Sequence, residues 1–189
     1  MPRGIGVVIC CATFPLWNTY PALCASLATG NPVVLKPHPA ATLPVALVAR
    51  VCREVLVEAG YDPNLVTLAA DTRADPATLP LIQHPDTAII DFTGSPRFGS
   101  WLEQNCPGKQ VYTETAGCNS VVLESTDDLQ ATARAVAHSL CQASAQMCTS
   151  VQNIHVPAAG VRVAGEWVPH AEVAAAICSA VDGWLADPR

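Results

Sequence analysis

The stretch NPVVLKPHPAATLPVALVARVCREVLVEAG, residues 31–60, decides the fold class. It opens on a short β-branched run, VVLK, bounded by prolines, which donate nothing to a strand ladder. It continues into a segment where Val45, Val48, Ala49, Cys52, Val55, Leu56 and Ala59 recur at helical spacing, and it closes on Gly60, a residue suited to a left-handed helix cap. Strand followed directly by amphipathic helix is half of a βαβ unit, and the same alternation runs outward in both directions. GIGVVICCA (4–12) reads as a strand and PALCASLA (21–28) as a helix. LVTLAA (65–70), ATLPLIQH (77–84), TAIIDFTGS (87–95) and PRFGSWLEQN (96–105) read as strand, helix, strand and helix. QVYTE (110–114) and CNSVVLE (118–124) follow as strands, and a helix runs from the acidic cap in STDDLQ through AVAHSLCQA (135–143). Repeated alternation of this kind predicts an α/β fold with a Rossmann-like parallel sheet flanked by helices. From Ala158 the pattern weakens: GVRVAGEWVPH (160–170) reads as a loop, and HAEVAAAICSAVDGWLADPR (170–189) starts one more amphipathic helix.

Composition narrows the function classes. The chain has 189 residues, a net charge of −6, 14% charged and 50% hydrophobic residues. Net negative charge argues against nucleic acid or an anionic membrane as the main partner. The apolar excess predicts surface that neighbouring structure should cover. The longest apolar candidate is interrupted by Asn18, Pro21, Asn31 and Lys36, well short of the ~20 residues of a membrane span. Nine cysteines without a C-x-x-C framework, and with no cleavable leader before them, point to free thiols in a reducing cytoplasm. The histidines at 38, 84, 138 and 155, with Asp86, are too scattered for a metal site, so none is expected.

Several residues have the types that carry chemistry. Lys36 closes one strand, and the FTGS turn (92–95) closes another; ligands of open α/β sheets bind at such carboxyl ends. The turn GSPRFG (94–99) starts a helix, whose exposed N–H groups suit a pyrophosphate, although a tight βα turn would look the same. Glu114 ends a strand in VYTETAGCN, and Cys148 follows 148 − 114 = 34 residues later in SAQMCTS. Read singly, Asn18 could cap a helix, Glu114 could be a solvated strand end, and Cys148 a small buried hydrophobe.

The order FPLWNTYP, VVLKPHP, FTGSPRFG, TETAGC, AQMC resembles the aldehyde dehydrogenase superfamily over residues 4 to about 157. Within it, CATFPLWNTYP, LATGNPVVLKPHP, DFTGSPRFGSWLE and QMCTSVQNIHVP look most like the phenylacetic acid degradation (PaaN) branch. The resemblance implies NAD(P)-dependent oxidation of an aldehyde, with Cys148 as nucleophile, Asn18 and the Cys148 N–H facing the oxyanion, and Glu114 as general base, best served by a buried carboxyl. It implies a cofactor site drawn from Phe14, Trp17, Lys36, His38, Gly94, Ser95, Gly99 and Ala116. The implied substrate is an aldehyde of aromatic degradation, CoA-linked semialdehydes included, and the implied parent enzyme is a homo-oligomer. By the same resemblance, residues 1–113 form a cofactor domain lacking its N-terminal part, and 114–189 the start of a catalytic domain that continues beyond Arg189.

The pattern also departs from the family's. Where many members carry an acidic residue three positions beyond the strand-end lysine, this chain has Pro39, so Lys36 with His38 is expected to accept the 2′-phosphate of NADP as readily as NAD. Ala116, Cys118 and Ala145 stand where the family has Gly, Lys and Gly. Cys141 is expected to lie two turns before Cys148 on one helix face if the helix continues. Two other readings remain open: an inactive remnant that binds nucleotide or another subunit, and a cysteine-dependent thioesterase or hydrolase.

Overall fold

The computed structural model describes residues 2–186, and the chain divides into two compact units that meet between Thr115 and Ala116. In the first, β1 (Ile5–Ile9), α1 (Thr19–Ala28), β2 (Val33–Lys36), α2 (Thr42–Glu58) and β3 (Val66–Leu68) follow one another. They are succeeded by α3 (Thr78–Gln83), β4 (Thr87–Gly94), α4 (Pro96–Asn105) and β5 (Gln110–Thr115). The five strands form one parallel sheet in the order β3-β2-β1-β4-β5. This is the expected Rossmann-like architecture.

Period-two alternation sorts each strand between two cores. Val8, Cys10, Leu35 and Val66 pack with Leu23 of α1 and Val45 and Ala49 of α2. Val7, Ile9, Ile90 and Phe92 pack on the other face with Ile82 of α3 and Leu102 of α4. Leu35, Val45, Ile82 and Ile90 are fully buried, each stabilising the fold by about 1.5–3 kcal/mol. The predicted stripe of α2 holds through Val48, Cys52 and Leu56, but Val55 and Ala59 turn outward, and Gly60 takes φ +77°. Leu43, Leu47, Val51 and Val55, four residues apart, form an exposed aliphatic ladder on the outer side of α2.

The second unit contains β6 (Ser120–Val122), β7 (Ser125–Thr126), α5 (Leu129–Cys141), β8 (Asn153–His155), β9 (Val161–Val163), β10 (Glu166–Val168) and α6 (His170–Ala186). β6 pairs with β8 in parallel, β7 with β9 in parallel, and β9 with β10 antiparallel. Leu123, Val161 and Val173 form its core, and α5 packs along α6. Two sequence expectations are corrected here. Residues 160–170 are not a loop: Val161–Val163 and Glu166–Val168 form a hairpin across Ala164–Gly165, both at positive φ (49° and 94°), and Arg162 stacks on the Trp167 ring opposite it. Nor does the helix of α5 continue toward Cys148. It stops at Cys141, and Ala143, Ser144 and Ala145 take φ of 48°, 56° and 60°. Cys141 and Cys148 therefore share no helix face. The last residues of the expected final helix, 187–189, lie outside the described residues.

Candidate active site

In the first unit, parallel register gathers the expected residues at one end of the sheet. Ile9 of β1 pairs with both Lys36 and Phe92, and Thr93 pairs with Glu114. The carboxyl ends of β1, β2, β4 and β5 thus lie side by side, and the segment leaving β1 carries Phe14, Trp17 and Asn18.

Asn18 stands at the start of α1, yet its side chain makes no cap hydrogen bond. Its Oδ1 instead accepts from the Cys11 thiol at 3.6 Å, an arrangement that turns the amide's NH₂ away from Cys11. The capping alternative is set aside by that geometry. Thr19 takes the buried position beneath it and donates to Cys10 Sγ at 2.9 Å. Burial pushes the Cys10 thiol up to about 11 despite that bond, so Cys10 is inert packing. Phe14 and the exposed Trp17 sit with ring centroids 6.3 Å apart.

Lys36 is not an open cation. It is buried, and its Nζ meets Asp71 Oδ1 at 2.8 Å while also donating to the Pro37 carbonyl at 3.2 Å. Asp71 in turn accepts from the Ala77 N–H at 3.0 Å. The expectation of a carboxylate-free end of β2 is corrected: the charge missing at Pro39 is supplied from beyond the neighbouring strand β3. The ammonium makes one hydrogen bond, to the Pro37 carbonyl, and pairs with Asp71 by charge, Asp71 Oδ1 being buried without a hydrogen-bond partner. His38 is corrected as well. Its Nδ1 accepts from Ala40 N at 3.1 Å, and burial followed by the nearby Lys36 charge lowers its pKa, so it is neutral at pH 7.

The turn after β4 is tight for a packing reason. A Cβ on Gly94 would lie 2.5 Å from the Phe92 ring, and one on Gly99 would lie 2.8 Å from Thr115 Cγ2. Ser95 caps α4 through Phe98 N at 3.4 Å, Pro96 has no N–H, and Gly99 N donates to the Ser95 carbonyl. The helix end has fewer unused donors than its sequence suggested. Glu114 is exposed, against the expected burial. The half-buried carboxyl near Glu114 is Asp91, on β4 beside Tyr112 and over a groove of about 520 Å³ against α1. Burial, with Glu114 nearby, raises its pKa to about 6.

In the second unit, exposed Ala116 leads into strand β6, and half-buried Cys148 lies in the segment between α5 and β8. Asn119 holds that segment. Its Nδ2 donates to the carbonyls of Cys148 and Ser150 at 2.6 and 3.0 Å, while its own carbonyl accepts from Gln152 N and Asn153 N. Sequence reasoning missed both Asp71 and Asn119. The sequence shows only their places: Asp71 follows the strand LVTLAA, and Asn119 directly precedes a strand in TETAGCNS. Among the described residues, no group of three His, Cys, Asp or Glu side chains could hold a metal, and no helix is long and apolar enough to cross a membrane.

Residues 1–168 match the model of the aldehyde dehydrogenase family. The chain belongs to that family. A 1-pyrroline-5-carboxylate dehydrogenase of Bacillus cereus is 33% identical over 158 residues, covering 79% of this chain and 30% of the relative. The crystal structure of an NAD-dependent aldehyde dehydrogenase from Burkholderia multivorans superposes with a TM-score of 0.90 at 52% identity, over 99% of this chain and 34% of that one. The glyceraldehyde-3-phosphate dehydrogenase of Methanocaldococcus jannaschii, solved with NADP, superposes at 0.78 with 21% identity, over 98% of this chain and 38% of that one, and so shares the fold. The chain spans about a third of such proteins' length.

Proposed function

We propose that the chain contributes the cofactor site and the nucleophile of an NAD(P)-dependent aldehyde oxidation, in which Cys148, Glu114 and Asn18 act on the substrate. The observation that carries this reading is the alignment of the Asn18 segment, Lys36, Ser95 and Glu114 along the carboxyl ends of one parallel sheet. The Cys148 thiolate attacks the aldehyde carbonyl and forms the C–S bond of a thiohemiacetal, while the carbonyl electrons move to oxygen. The Asn18 amide and the Cys148 N–H donate to that oxyanion. A bound nicotinamide would supply the hydride acceptor, and loss of hydride from the thiohemiacetal carbon, as the oxyanion re-forms the carbonyl, leaves Cys148 as a thioester. Exposed Glu114 takes a proton from the water that attacks the thioester, and the acid leaves with the thiolate restored.

The residues present fit a dinucleotide. Lys36 would offer an ammonium N–H not given to Pro37 to a ribose hydroxyl, Ser95 and Gly94 would border a phosphate at the start of α4, and Phe14, Trp17, His38, Gly99 and Ala116 complete the proposed lining. Asp71, only 2.8 Å from Lys36, opposes a 2′-phosphate and makes NAD the better fit. Nine free cysteines suit a cytoplasmic protein. The narrower assignment, to an aldehyde of aromatic degradation or its CoA-linked semialdehyde in a homo-oligomer, rests on the likeness of CATFPLWNTYP and QMCTSVQNIHVP to the phenylacetic acid degradation branch.

The test is nucleotide titration of the 189-residue chain, read by its melting temperature, then hydride transfer from aromatic and from pyrroline-derived aldehydes. A melt raised by NAD, with reduced nicotinamide appearing in the unsubstituted chain and not in Cys148→Ala, supports the proposal. A melt moved by neither nucleotide refutes it.

A further inference from the structure

We propose that Asn119 is the positioning residue of the nucleophile, fixing the main chain on which Cys148 presents its thiol and its N–H; this rests on the reading of Cys148 as nucleophile. The two peptide planes that flank Cys148 are pinned by different groups. The preceding plane is held through the Met147 carbonyl, which accepts from Ser150 N at 3.1 Å. The following plane is held through the Cys148 carbonyl, which accepts from Asn119 Nδ2 at 2.6 Å. Because a peptide is planar, fixing a carbonyl also fixes the N–H on its far side. The Met147 carbonyl thereby sets the direction of the Cys148 N–H, and the Asn119 amide sets the other half of the Cys148 backbone.

The second hydrogen of the same amide goes to the Ser150 carbonyl at 3.0 Å, so both of its donors are spent on this segment. The Asn119 carbonyl accepts from Gln152 and Asn153, joining the segment to the β6–β8 pair. Such a hold has work to do. Three consecutive residues before the nucleophile, Ala143 to Ala145, occupy the left-handed region, which non-glycine residues adopt only when their surroundings impose it. Ser150, whose side-chain oxygen is buried without a hydrogen-bond partner, contributes only its main chain. The Asn119 amide reaches the main chain of this segment from outside it, on both sides of Thr149.

The test compares the unsubstituted chain with Asn119→Ala and Asn119→Asp, using iodoacetamide and reading each cysteine by peptide mass spectrometry. With the hold removed, labelling of half-buried Cys148 is expected to accelerate by about tenfold in both variants at pH 7.5, while exposed Cys24 and Cys178 keep their rates. In Asn119→Asp the acceleration should fade as pH drops toward 4.5, because a protonated carboxyl can again donate to one carbonyl. A general loss of folding would instead worsen in acid and move all three cysteines together. Cys148 labelling at or below the unsubstituted rate in both variants, or acceleration shared with Cys24 and Cys178, overturns the proposal. The failure of the underlying reading looks different: aldehyde turnover that survives Cys148→Ala removes the nucleophile, whatever Asn119 does.

Discussion

Lys36 and Asp71 meet at 2.8 Å across the carboxyl ends of two neighbouring strands, both side chains almost wholly buried. Removing one partner of such a pair leaves an uncompensated charge in the interior. Asp71→Ala is expected to cost about 3–5 kcal/mol in urea unfolding, whereas the double change Lys36→Met with Asp71→Leu should cost far less. The same single change should raise the relative affinity for NADP over NAD, measured by melting shifts with each nucleotide.

The left-handed run at residues 143–145 leads to a prediction of the opposite sign. Ala145 at φ 60° carries a Cβ that its backbone conformation disfavours. Ala145→Gly should therefore stabilise the chain by about 1 kcal/mol, read as a higher urea midpoint at unchanged slope. A lower midpoint would show that the added freedom of the unfolded chain outweighs the relieved contact.

At Gly99 the limit is space. A methyl group there would press on the Thr115 methyl at 2.8 Å, so Gly99→Ala should lower the melting temperature although alanine favours helix. Adding Thr115→Ser removes that methyl and should restore stability to or above the starting value. Equal losses in the single and double variants would locate the cost elsewhere.

Asp91 sets a pH dependence. Its carboxyl titrates near about 6 in the folded chain against an ordinary 3.8, because burial disfavours the charge. The folded state then holds the extra proton between these values, so stability falls as pH rises from 4 to 6 and stays lower above that range. Discounted for partial exposure, the penalty at pH 7 is on the order of 1–2 kcal/mol. Asp91→Asn should flatten the profile, and chemical unfolding at pH 4 and pH 7 checks it.

The first unit was legible because periodicity reports what a helix or strand buries. VVLK alternates between two cores and the run from Val45 to Leu56 presents one side to a core, and they fold as β2 and α2. The hairpin at 161–168 was missed because its two-residue loop is Ala164–Gly165 in place of Asn-Gly or Asp-Gly, and only the glycine advertises a positive φ. Of the candidate site, motif order conveyed which residues stand at the carboxyl edge of the first unit's sheet. What order could not convey is contact between distant segments: Asp71 meets Lys36 only because β3 lies beside β2, and Asn119 reaches Cys148 only because β6 pairs with β8. Glu114 shows the reverse limit, since a strand-end position does not say how much water the side chain sees.

Lys36 and Glu114 lie at the carboxyl ends of β2 and β5, while Asn18 and Ser95 lie on the connections that leave β1 and β4. Amino-acid changes in one connection leave the hydrogen-bonded ladder under the other three intact. Evolution can then sample side chains near β2 separately from those at the end of β5, one short segment at a time, without unlearning the fold. Pro39 and Asp71 have the form of one such exchange: the first connection lacks a carboxylate, the next supplies it, and the charge beside Lys36 stays in place.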